Sequence, residues 1–104
     1  MTDWRARLGF LIPPGTPTVQ QRAASQLEHM NETVDLLASV EPDVIVLAHT
    51  ATSYTLGRDG DADLSRRMQA RTGIPFVTAL GSAAAALKVL GVRRLAVGTP
   101  YDMA

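Results

Sequence analysis

The sequence predicts an α/β protein: a single three-layer α/β/α lobe around a parallel sheet. Three observations lead there. Short apolar runs recur at residues 7–12, 44–48, 74–79 and 95–98, the second of them rich in β-branched residues. The segments between them carry helical periodicity or helix caps. Strand and helix alternate along the chain, which implies right-handed crossovers and a parallel sheet with helices on both faces.

Taken in order, Arg7-Leu8-Gly9-Phe10-Leu11-Ile12 reads as the first strand, closed by the stiff loop Pro13-Pro14-Gly15-Thr16-Pro17, since proline cannot continue a hydrogen-bond ladder. Thr18-Val19-Gln20-Gln21 matches a capping box and starts a helix. Ala23, Leu27, Met30, Val34 and Leu37 then recur at spacings of four and three and form one inward face. Glu28 and His29 fall off that stripe and belong in solvent. Pro42 lies just past the helix end.

The run from Val44 to Ala48 is the second strand, apolar enough to be buried on both faces. Residues 50–55 are read as a hydroxyl-rich loop, and Gly57-Arg58-Asp59-Gly60-Asp61 as a turn. Asp61 or Asp63 caps the next helix, whose inner face is marked by Leu64 and Met68. Arg66, Arg67 and Arg71 form its solvated side. Gly73 and Pro75 stop it. A third strand covers residues 74–79, and Ser82 is taken as the cap of a helix over residues 83–90, whose consecutive alanines suit close packing on a sheet. Gly91 ends it, and residues 95–98 form a fourth strand. With no helix after that strand, one sheet face is left open and the lobe looks truncated.

The 104 residues suit one domain, residues 1–104. Hydrophobic content of 46% against 19% charged residues excludes a disordered chain. Zero net charge and scattered arginines carry no nucleic-acid footprint. No apolar run approaches the ~20 residues of a membrane span. The absence of cysteine rules out thiol chemistry within these residues and fits a reducing compartment, so a cytoplasmic location is expected. Neither histidine has metal-ligand spacing, and neither a metal nor another cofactor is expected.

In a parallel sheet, ligands bind beyond the carboxyl ends of the strands. Hydroxyls gather there in this chain: Thr16 and Thr18, then Thr50, Thr52, Ser53, Tyr54 and Thr55, then Thr78 and Ser82, then Thr99 and Tyr101. With loop amides and helix N-termini they suit a small anion, a carboxylate or phosphate. Singly, each is explained as a cap or turn residue; five in residues 50–55 exceed what one cap requires. His49 at a strand end is a candidate proton carrier at neutral pH, or equally a satisfied, half-buried side chain.

Thr72-Gly73-Ile74-Pro75-Phe76-Val77-Thr78, then residues 86–97, then Thr99-Pro100-Tyr101 resemble the arylmalonate decarboxylase and maleate cis–trans isomerase group of the aspartate/glutamate racemase superfamily. Leu8-Gly9-Phe10-Leu11-Ile12-Pro13-Pro14 is similar to the decarboxylases' first strand, and residues 44–54 fall at the group's first catalytic loop. The resemblance implies the N-terminal, flavodoxin-like lobe of a two-lobed enzyme that acts without a cofactor on small dicarboxylates. The intermediate would be an enediolate held by hydroxyls and amides. His49 would stand at the first catalytic position, where racemases and isomerases carry cysteine and decarboxylases glycine. Thr50, Ala51, Tyr101 and Pro14 would bind substrate. A histidine at that position departs from both patterns, and Ala51 lacks the hydroxyl the decarboxylases carry there. The group's second strand and its second lobe, with its cysteine, have no counterpart in the sequence. Low activity alone follows, as does self-association or pairing with a second lobe. A non-catalytic small-anion or flavin-phosphate module is the alternative, since residues 50–55 fit the T-x-T-x-x-T spacing of flavodoxin phosphate loops.

Overall fold

The computed structural model describes residues 5–13, 15 and 18–99. Three strands, β1 (Leu8–Leu11), β2 (Val44–Leu47) and β3 (Phe76–Thr78), form a parallel sheet in the order β1-β2-β3. Four helices accompany them: α1 (Val19–Glu28), α2 (Met30–Ala38), α3 (Thr50–Thr72) and α4 (Ala79–Val89). The α/β class and the parallel sheet are as expected.

The register decides what is buried. Gly9, Ile45 and Phe76 lie abreast on one face, as do Leu11, Leu47 and Thr78. All six are buried. Met30 and Val34 from α2 and Leu64 and Met68 from α3 pack with them into a single core. Gly9 permits the close approach of α2, because a Cβ there would stand 2.9 Å from Leu37 Cγ.

The other face carries Leu8, Phe10 and Val77, which are exposed, and Val44 and Val46, which are half-buried. The expectation that the second strand is buried on both faces is corrected accordingly. The reason is topological. Spatial order equals chain order, so right-handed crossovers all advance in one direction and set their helices on the same face. Helices reach the opposite face only where a crossover runs backwards.

Local signals account for most boundaries. Thr18 caps α1 in a complete capping box, its hydroxyl accepting from Gln21 N–H at 3.1 Å while Gln21 Oε1 accepts from Thr18 N–H at 3.3 Å. The predicted long helix is interrupted at His29, and its stripe continues into α2 with Ala23, Met30 and Val34 buried. Glu28 and His29 are exposed. Gly73, at φ 72°, closes α3 in the left-handed conformation expected of a C-terminal glycine.

Five expectations are corrected. Residues 50–55 are not a loop, and the turn at residues 57–61 does not form. Helix α3 begins at Thr50 and bends at Gly57, whose φ 75° and ψ 174° lie in a region essentially reserved for glycine. Thr78, not Ser82, caps α4, accepting from Gly81 N–H at 2.9 Å. Because α3 already starts at Thr50, neither Asp61 nor Asp63 caps it; the Asp61 carboxylate accepts from the Thr78 hydroxyl at 2.8 Å, which ties α3 to the start of α4. Residues 95–98 form no strand: Leu95 and Val97 are exposed and the backbone is irregular. A β-branched run becomes a parallel strand only if its crossover helix packs on the sheet, and α4 buries none of its residues, its alanines included.

Candidate functional site

Strand β2 ends beneath the start of α3, and the junction residue is His49. Its backbone is extended, φ −130° and ψ 101°, and it occupies the N-cap of α3 without a capping side-chain bond. Thr50 and Ala51 follow in the first turn, so the three are contiguous at the carboxyl edge of the sheet. The first turn of a helix carries partial positive charge; here the Thr52 N–H already donates to the His49 carbonyl at 3.1 Å. Pro14 and Tyr101, the other two site residues drawn from the resemblance, lie outside the described residues.

The hydroxyl cluster divides once it is helical. Thr55 donates back to the Ala51 carbonyl at 2.8 Å, an ordinary helix-internal bond. Thr52 is fully buried, with 0% of its surface exposed. Its hydroxyl donates to Gln26 Oε1 at 2.6 Å and lies 2.9 Å from His49 Nδ1. The T-x-T-x-x-T spacing thus falls within a helix, with the Thr52 and Thr55 hydroxyls engaged internally.

Gln26 is itself buried, and on the same face of α1 the Nε of Arg22 is buried with no hydrogen-bond partner. Partial burial pushes the His49 pKa below its ordinary 6.5, and the nearby Arg22 charge pushes it the same way. Both effects disfavour imidazolium, so the neutral imidazole predominates at pH 7. Sequence reasoning missed Gln26 and Arg22. The signal was present for Gln26, which lies three residues after Ala23 and four before Met30. A polar side chain on an apolar stripe calls for a buried partner.

A sizeable concavity lies elsewhere. A cavity of about 670 Å³ opens between α3, β3 and α4, with Ser53, Arg58, Asp61 and Thr78 among its polar lining and Phe76 and Leu80 in its apolar wall. Neither His49 nor Thr50 lines it. The first turns of α3 therefore serve two sides, Thr52 toward α1 and Ser53 toward β3 and α4. Among the described residues no three His, Asp or Glu side chains gather as a metal site. No helix among them is long and apolar enough to cross a membrane.

The family model for arylmalonate decarboxylase matches residues 9–104. Among solved structures, the chain is similar to the crystal structure of an arylmalonate decarboxylase, with a TM-score of 0.75 and 24% identity. That likeness covers 92% of this chain and 50% of the other, so this chain spans about half the length of the structure it matches. At that identity the likeness shows the fold. No curated protein matches.

Proposed function

Since the chain belongs to the arylmalonate decarboxylase family, matched over residues 9–104, we propose that it supplies one lobe's share of a site for small dicarboxylates. One carboxylate is held there while negative charge builds on it as an enediolate. The observation that carries this reading is the β2–α3 junction. It sets His49, Thr50 and Ala51 at the carboxyl edge of a parallel sheet, on a helix N-terminus. Such an edge is where ligands of open α/β sheets bind, and first-turn amides suit an anion.

In this reading the Thr50 hydroxyl and the neighbouring amides hold carboxylate oxygens, and Ala51 contributes only its backbone. Pro14 and Tyr101 complete this lobe's share. Donors fixed in place before reaction stabilise the enediolate more than the ground-state carboxylate, and no cofactor is required for that. The 104 residues by themselves turn over slowly, because they hold no thiol to act as proton donor and His49 is predominantly neutral.

An amide-resolved NMR titration of the chain with phenylmalonate, maleate and aspartate tests the reading. Shifts confined to residues 49–53 and 99–101 are expected. A folded spectrum indifferent to all three overturns the binding site. Brisk decarboxylation of phenylmalonate by this chain overturns the slow turnover.

A further inference from the structure

The Thr52 hydroxyl has one proton and two neighbours that can take it. Gln26 Oε1, at 2.6 Å, accepts from it. His49 Nδ1 lies at 2.9 Å. A hydroxyl already donating to Gln26 can only accept from the imidazole. We infer that Gln26 and Thr52 are positioning residues which hold neutral His49 in its Nδ1–H tautomer, leaving the lone pair on Nε2, so that the ring takes up a proton instead of delivering one.

Burial makes the preference strong. Thr52 is 0% and Gln26 7% exposed, so bulk water cannot step in as an alternative partner for the hydroxyl. Both residues sit on helices, Gln26 on α1 and Thr52 in the first turn of α3, and their separation is set by the packing of those helices. Arg22, one turn before Gln26, is the charged group that acts on the ring, and its cation favours the neutral form. Among the described residues no carboxylate is paired with His49 to oppose it.

The consequence deepens the proposed function and, for the identity of the substrate, rests on it. A bare Nε2 is a base. Against a carbon next to a carboxylate it removes the proton: the C–H bond breaks, its electron pair moves into the carboxylate to give the enediolate, and the proton binds Nε2. The imidazolium so formed still donates from Nδ1 to Thr52. Once the Nε2 proton has swapped with one from water, its return to carbon completes exchange there. Decarboxylation instead generates a carbanion that must be given a proton, which an unprotonated Nε2 does not have. His49 therefore suits α-hydrogen exchange, the chemistry of racemisation, and not the protonation that ends a decarboxylation.

The test is a long-range proton–nitrogen NMR correlation of the histidine rings in the ligand-free chain above pH 7. His49 is expected to show a protonated, pyrrole-type Nδ1 and a pyridine-type Nε2. Gln26→Glu, whose carboxylate can only accept, keeps that pattern. Gln26→Leu releases the Thr52 proton toward Nδ1 and moves the population to the Nε2–H form; Thr52→Val removes the bias. A wild-type His49 found as Nε2–H overturns the inference, since the Gln26 amide would then be donating to Thr52. So does an unchanged tautomer in a folded Gln26→Leu. The wild-type spectrum alone decides if the variants do not fold. No ligand enters the measurement, so a chain that binds no dicarboxylate can still bear out the tautomer, and one that binds can still refute it.

Discussion

At the scale of single residues, His49 makes the fold sensitive to mild acid. Its pKa in the folded chain lies below the ordinary 6.5, through partial burial and then the Arg22 charge. The unfolded chain therefore takes up the proton first as pH falls. The stability this group contributes is complete above pH 6.5 and declines as pH drops through 6.5 toward the folded value. Asp35 and Asp63 are also shifted, each lowered from 3.8 by hydrogen bonds from arginines, Arg71 for Asp35 and Arg67 with Arg66 for Asp63. Both are exposed and act at more acid pH, outside this window. Urea unfolding at pH 7.5 and 5.5 should show a loss of stability that His49→Gln reduces. An equal loss in both proteins would remove His49 from the explanation.

At the scale of elements, Gly57 divides α3 into two working parts. The turns before it carry His49's partner Thr52 and the buried Ser53; the turns after it carry Leu64 and Met68 into the core. The bend lets the first part face α1 while the second lies on the sheet. Its φ and ψ are open to glycine and costly for any other residue, so Gly57→Ala should destabilise the chain by about 1–3 kcal/mol. Denaturant midpoints measure this, and a stability unchanged or raised would mean the helix straightens without cost. The composition of residues 50–61 obscured this helix: β-branched and hydroxyl residues, two glycines and two aspartates contradict helical propensity. Packing against α1 and the sheet outweighs that preference.

At the scale of the whole molecule, the uncovered sheet face is the dominant surface feature. Leu8 at 53% and Phe10 at 56% exposure stand beside Val77 and the half-buried Val44 and Val46. Contiguous apolar surface of this kind favours association. The chain should self-associate with rising concentration in light scattering, and Phe10→Lys should weaken that association while changing folding stability by no more than about 0.5 kcal/mol. A monomer mass at every concentration would rule the face out as a contact surface.

By itself the sequence determined the alternation of strands and helices, the stripe from Ala23 to Val34, the Thr18 cap, the glycine stop at Gly73 and the core role of Leu64 and Met68. Those are properties of neighbours along the chain: periodicity, capping chemistry and backbone freedom act within a few residues. The tertiary structure decided the rest. Whether residues 95–98 pair, which sheet face is covered and whether the hydroxyls of residues 50–55 meet a ligand or each other depend on groups distant in sequence. The Thr52 hydroxyl is the clearest instance. Its chemistry turns on Gln26, 26 positions earlier, and only the packing of α1 against α3 brings the two within hydrogen-bond distance.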